Sequence, residues 1–248
     1  MSDNAGQRAV IFGGFRTETL KESQAAASFL DACGLDQSAV LANVWNGAAD
    51  SLQSRHERSL QWLSTELVHG GILHILGYSM GCQLAVKFAQ TVLDHADGRT
   101  DLGSVTLVAP DPQFRRGHQD FVERQQGITS AYDEARDLWS VGDSAGPKFV
   151  EALRCAANAC EYGCRIVFCK DDGVAEWADN VELMSMQLKD CAAIRWVETK
   201  VNEVTHACGV RFRLDPDDVS HIACADRTHA ALWYRLNFEA LTGAGSQH

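Results

Sequence analysis

Short apolar runs, separated by longer stretches with helical spacing, recur along most of the chain. The first, Arg8-Ala9-Val10-Ile11-Phe12, passes directly into Gly13-Gly14-Phe15. An apolar run of this length predicts a short strand. Thr19 and Glu22 then form a capping box, and Ala26, Phe29, Leu30 and Cys33 give one helical face that stops at Gly34. A second strand is expected over residues 39–45, and Leu60, Leu63 and Leu67 mark a helix that Gly70 and Gly71 end. Ile72 to Tyr78 is a third strand, Leu84, Phe88 and Val92 mark the helix after it, and Ser104 to Ala109 is a fourth strand. From Asp111 to about Cys164 the spacing is helical only, carried by Tyr132, Ala135, Leu138 and Trp139 and then by Phe149, Val150, Leu153 and Ala157. Strands return at 165–169, 193–198 and 209–214, with a helix over about 175–190 and a terminal helix through Trp233, Leu236 and Ala240. Alternating strands and helices joined by right-handed crossovers predict an α/β fold with a largely parallel central sheet flanked by helices. No Pro-, Gly- or Ser-rich linker interrupts the pattern, so residues 1–248 are expected to form a single domain.

The third strand ends in Gly77-Tyr78-Ser79-Met80-Gly81. A strand, Gly-x-Ser-x-Gly and a helix in immediate succession form a nucleophile elbow, whose sharp turn holds the serine in a strained conformation. The flanking glycines remove side chains that would collide with the strand and the helix. The helix N-terminus beneath Ser79 favours developing negative charge. A second match, Gly142-Asp143-Ser144-Ala145-Gly146, resembles the Gly-Asp-Ser-Ala-Gly of hormone-sensitive-lipase-type esterases, and His69-Gly70-Gly71 partly imitates their oxyanion motif. Its context is wrong, because a helix-like stretch over 135–141 precedes it and Pro147 follows. Too little chain also remains after Ser144 for the strands, acid and base required downstream. Ser144 reads as a loop residue or helix cap.

Composition narrows the function. Net charge is −11, from 22 basic and 33 acidic residues, with no basic cluster to offset it. That balance opposes non-specific nucleic-acid binding and favours a small or neutral substrate. The first eight residues carry no apolar signal-peptide core, and no apolar run approaches a membrane span, so a soluble, cytoplasmic protein is expected. Nine cysteines in a chain of 248 residues, several inside apolar segments, fit reduced thiols better than a disulfide scaffold. Cys155, Cys160, Cys164 and Cys169 contain no Cys-x-x-Cys pair, so no structural zinc site is expected.

The order of these features resembles the α/β-hydrolase superfamily from Arg8 to about Leu241. The resemblance implies a catalytic serine, then an acid after a later strand, then a histidine near the C-terminus. A neutral hydroxyl is a poor nucleophile, so a histidine must take its proton and a carboxylate must orient that histidine. Asp172 follows the 165–169 strand where the family places a Gly-x-x-Asp turn, with Cys169 in the position of the glycine; Asp171 and Asp111 are the alternatives. The base is expected at His221, in a loop before the terminal helix, with His229 and His206 as alternatives. Oxyanion donors are expected at the backbone N–H of Met80 and, from the loop after the first strand, of Phe15. The family's His-Gly-aromatic motif is replaced there by Gly13-Gly14-Phe15, which leaves a backbone donor in place. Arg16 beside it reads as a surface or ion-paired residue rather than an anion anchor. The helical stretch 111–164 occupies the place where such enzymes insert a lid, the alternative being extra helices packed on the sheet edge.

These residues imply a serine hydrolase of carboxylic esters or thioesters, acting through an acyl-enzyme on Ser79. The substrate is a small acyl compound, free or tethered to a carrier, and neither metal nor organic cofactor is implied. Two other readings stay open on the same scaffold. One is a non-hydrolytic enzyme, a lyase, acyl transferase or cyclase, with a dry pocket lined by Trp139 and Phe149. The other is a catalytically silent binding protein.

Overall fold

The apolar runs fold as the strands of one parallel sheet, and the helical stretches cover it. The structure, a computed structural model, describes residues 7–14, 40–43, 50–66, 71–95, 100–112, 128–139, 145–169 and 177–199. Its strands are β1 (Gln7–Phe12), β2 (Val40–Asn43), β3 (Gly71–Tyr78), β4 (Thr100–Val108), β5 (Cys164–Cys169) and β6 (Ile194–Thr199). Its helices are α1 (Leu52–Glu66), α2 (Gly81–His95), α3 (Ile128–Asp137), α4 (Ala145–Ala159) and α5 (Trp177–Leu188). The strand order is β2-β1-β3-β4-β5-β6, and every pairing is parallel. Ala9 to Phe12 and Leu73, Ile75 and Leu76 are buried, as strands covered on both faces must be. The helix expected over 19–34, the strand over 209–214 and the terminal helix lie outside the described residues.

The strand order contains one reversal. From β1 the chain steps outward to β2, then returns to the opposite side of β1 for β3 and continues outward to β6. The chain therefore leaves β1 and β3 toward opposite sides of the sheet, which makes this pair of strands a topological switch point. In open α/β sheets this switch point is where ligands bind.

Helix α2 is the main buried helix. Cys82, Leu84, Ala85, Phe88, Ala89 and Val92 are buried, and the Phe88 ring meets Phe12 edge-on at 5.6 Å. Full burial of one such side chain contributes about 2–3 kcal/mol. Helix α4 packs beside α2 through Phe149, Val150, Leu153, Ala156 and Ala157, all buried. It is thus part of the layer that covers the sheet between β4 and β5. Within the 111–164 stretch, α4 therefore packs as core, as do Ala135 of α3 and Trp139 just after it. Trp139 and Phe149, expected to line a dry pocket, are instead core residues 3% and 0% exposed, with rings edge-on at 5.6 Å. Apolar aromatics at helical spacing bury against each other because that removes the most surface from water.

Several polar groups inside this layer find partners, although His56 Nδ1, His74 Nε2 and Thr106 Oγ1 are buried without a hydrogen bond. Ser51 Oγ accepts from the Ser54 N–H at 3.0 Å, and Glu134 of α3 accepts from the Leu52 N–H at 2.9 Å, so two groups cap α1. His74, buried in β3, lies 2.9 Å from Ser104 Oγ and stacks on Tyr162 at 5.9 Å. Burial pushes its pKa down to about 4, so the imidazole is neutral. Among the described residues, no helix is long and apolar enough to cross a membrane.

Candidate functional site

The site begins where β3 ends. Tyr78 is the last strand residue, Ser79 and Met80 make the turn, and Gly81 opens α2. Ser79 has φ 51°, a left-handed conformation that it shares, among described non-glycine residues, with Ala109 alone. For a residue with a Cβ this conformation costs about 1–2 kcal/mol. The turn is closed by the Cys82 N–H donating to Ser79 O at 2.9 Å and the Gln83 N–H donating to Met80 O at 3.1 Å.

The two glycines of the pentapeptide are required by space. A Cβ on Gly77 would lie 2.7 Å from both Ala85 Cβ and Cys82 Cα. One on Gly81 would lie 2.2 Å from Phe12 O and 2.6 Å from Gly13 O. Both distances are far below van der Waals contact, and at Gly81 the obstacles are backbone atoms that cannot swing away. The start of α2 is thus pressed onto the end of β1. Gly14, the second residue after β1, completes the contact: a Cβ there would meet the Tyr78 ring at 3.0 Å and Ser79 Cβ at 3.3 Å. The Gly13-Gly14 segment and Ser79 therefore face each other across the switch point.

The neighbouring strand supplies a second strained turn. Ala109, φ 50°, follows β4 and leads through Pro110 to the half-buried Asp111. Gln83, in the first turn of α2, donates from Nε2 to Asp111 O at 2.8 Å and accepts from Trp139 Nε1 at 3.0 Å. Lys87 Nζ lies 5.3 Å from the centre of the same Trp139 ring. This chain of contacts ties Asp111 and the end of α3 to the helix that starts at the serine.

Of the residues expected from the sequence, Ser79, Met80 and Asp111 stand together at the C-terminal edge of the sheet. Phe15, Arg16, Ser144, Asp171, Asp172, His206, His221 and His229 lie outside the described residues. Around Ser144 the described neighbours are α3 and a turn before it and α4 after it, with no strand directly before the pentapeptide among them. His74 stands five residues before Ser79 on β3, about 16 Å down the strand, and is occupied by Ser104 and Tyr162. Among the described residues no group of three or more His, Cys, Asp or Glu could hold a metal ion.

Sequence reasoning missed one group at the edge of the site. Arg55 of α1 is fully buried, and its Nη2 donates to Gly13 O at 2.8 Å and to Asn43 O at 2.6 Å. The signal was present as a helical stripe, since Leu52, Arg55, His56 and Ser59 recur at spacings of three and four and all are buried. The stripe is polar, so a search for apolar spacing passes over it.

No family model matches the chain, and no curated protein matches it at a significant level. Solved structures do match. A monoacylglycerol lipase from Paleococcus ferrophilus is 12% identical, with a TM-score of 0.55 over 97% of this chain and 95% of the lipase. A metagenome-derived lipolytic enzyme gives 13% identity and a TM-score of 0.56 over 94% and 93% of the two chains. Carboxyl esterase 2 from the mycorrhizal fungus Tuber melanosporum gives 16% identity and a TM-score of 0.55 over 97% of this chain and 79% of the esterase. At such identities the likeness is one of fold.

Proposed function

We propose, from the premise that this chain has the α/β-hydrolase fold, that it is a serine hydrolase of carboxylic esters or thioesters. The observation that carries this reading is Ser79 at φ 51° between two glycines whose positions leave no room for a Cβ. A chain holds a serine in a strained conformation at a ligand-binding switch point only where the rest of the structure over-determines it, and such strain concentrates at functional sites. The esterase and lipase activities of the structural neighbours agree with the reading at the level of the fold.

In this mechanism Ser79 Oγ attacks the acyl carbon while His221 takes its proton, and Asp172 orients His221 and stabilises it once charged. The oxyanion is held by the N–H groups of Met80 and Phe15, with the α2 N-terminus adding its partial positive charge. Collapse of the tetrahedral intermediate expels the alcohol or thiol, which takes the proton from His221. Water activated by the same histidine then releases the acid and restores Ser79. The substrate is a small acyl compound, free or carrier-tethered, met by one domain in the cytoplasm, with any lid drawn from residues of the 111–164 stretch outside those packed in the core. The chemistry calls on no metal or organic cofactor. The non-hydrolytic alternative loses the dry pocket that favoured it, because Trp139 and Phe149 are packed in the core.

A fluorophosphonate probe is expected to label the protein, and Ser79→Ala to abolish labelling and lower kcat on short acyl esters by about 10⁴-fold or more. Labelling that persists in Ser79→Ala would remove the assignment. Alanine variants of His221 and His229, assayed side by side, identify the base as the one whose loss matches that of Ser79.

A further inference from the structure

We propose that Arg55 is a positioning residue that holds the oxyanion loop against Ser79, an inference that rests on the hydrolase reading above. Arg55 is the fourth residue of α1 and is fully buried. Its Nη2 bridges the carbonyls at the ends of the two strands that border the loop, Gly13 O at 2.8 Å and Asn43 O at 2.6 Å. Nε reaches Asn43 Oδ1 at 3.4 Å, and Asn43 Nδ2 returns to the Arg55 carbonyl at 2.5 Å and to Ser59 Oγ. The Gly13 N–H donates to the same Asn43 carbonyl at 3.2 Å. Both polar groups of Gly13 are thereby tied to one cluster centred on Arg55.

The consequence for the site follows from peptide geometry. The Gly13–Gly14 peptide is planar and trans, so fixing the Gly13 carbonyl fixes the opposed Gly14 N–H and the Gly14 Cα from which the loop continues. The same carbonyl lies where a Gly81 Cβ would be only 2.6 Å away. It is therefore held from one side by Arg55 and from the other by the first residue of α2. An oxyanion donor loses much of its value when displaced by a fraction of an ångström, because stabilisation depends on donors already in place. Burying a guanidinium is an inefficient route to stability, since an apolar side chain of similar volume serves as well or better. A rigid planar fork that binds two carbonyls at once is what positioning needs, and lysine lacks it.

The test compares Arg55→Lys with Ser59→Ala, which removes one hydroxyl from the same cluster without touching Gly13. Both are assayed at a temperature where circular dichroism shows them folded. Arg55→Lys is expected to lower kcat by about 10- to 100-fold with KM within about twofold. It should weaken inhibition by a trifluoromethyl ketone, which forms a tetrahedral serine adduct, by the same factor, and speed amide exchange at Gly13 and Gly14 at least tenfold. Ser59→Ala should leave kcat and that exchange within about twofold of wild type. Unchanged kcat and exchange in folded Arg55→Lys overturn the proposal, as do equal losses in Ser59→Ala. If Arg55→Lys does not fold, wild-type exchange decides. The Gly13 amide should exchange no faster than the Arg55 amide, and much faster exchange at Gly13 overturns the clamp. If the wild type takes no fluorophosphonate and cleaves no acyl ester, the hydrolase reading falls, while exchange still reports whether Arg55 holds the loop.

Discussion

His74 in the middle of β3 and Ser79 just after its last residue both interrupt a run of apolar residues, and a glycine makes room beside each, yet the two positions use that room differently. At His74 the space is taken by a side chain: a Cβ on Gly103 would lie 2.5 Å from the imidazole ring and from Ile72 Cγ2. The ring fills the gap, pairs with Ser104 and stacks on Tyr162. At Ser79 the space is taken by backbone, because Gly77 and Gly81 let the strand, the start of α2 and the end of β1 meet directly. One position consumes its polar group in packing, and the other sets a half-buried serine in the turn between strand and helix. A polar residue in a buried strand is thus structural or chemical according to what its neighbours do with the room around it.

The comparison can be broken most severely at Gly81. Gly81→Ala places a methyl 2.2 Å from a carbonyl oxygen, which no side-chain rotation relieves, and is expected to cost about 3 kcal/mol or more and to abolish activity. Urea unfolding of the variant, followed by circular dichroism, measures the loss; a midpoint within error of wild type would refute the close contact.

At His74 the lever is pH. His74 titrates near 6.5 when unfolded and is pushed down to about 4 when folded, so the unfolded chain binds the extra proton first as pH falls. Its stabilising contribution is complete above pH 6.5 and is lost on descending to 4, by about 3 kcal/mol. Burial and then Lys87 also lower the pKa of His56, which adds a slope of the same sign. Urea midpoints measured between pH 7 and 4 should fall, and His74→Gln should flatten part of that slope.

The smallest effect has the opposite sign. Ser79→Gly relieves the left-handed strain and is expected to stabilise the fold by about 0.5–1 kcal/mol while eliminating turnover. A small rise in urea midpoint with an unchanged m-value would register it, and a fall would show that φ 51° carries no strain.

The parts legible in the sequence are those that depend on burying apolar surface. β1, β3 and β5 arise from apolar runs, and the face of α2 carrying Leu84, Phe88 and Val92 is buried as its spacing requires. Gly-x-Ser-x-Gly was legible because steric exclusion forces glycine at both ends of the turn. The beginning of α1 was not, because its inward face is Arg55, His56 and Ser59, polar residues whose burial makes sense only once Gly13 and Asn43 are seen to converge on them. Trp139 misled for a related reason. Its helical spacing was clear, but whether an aromatic lines a pocket or fills a core depends on Gln83 and Phe149, which reach it from other elements. The acid and base expected at Asp172 and His221 rest on chain order alone.

The reversal in strand order also bears on how the protein is made. β1 leaves the ribosome before its two hydrogen-bonded neighbours, β2 and β3, which come later in the chain. Until Tyr78 has emerged, one edge of Ala9-Val10-Ile11-Phe12 has no partner strand, and an open apolar edge of this kind invites pairing with another chain. The architecture that sets Gly13-Gly14 opposite Ser79 thus also prolongs the exposure of the first strand during synthesis.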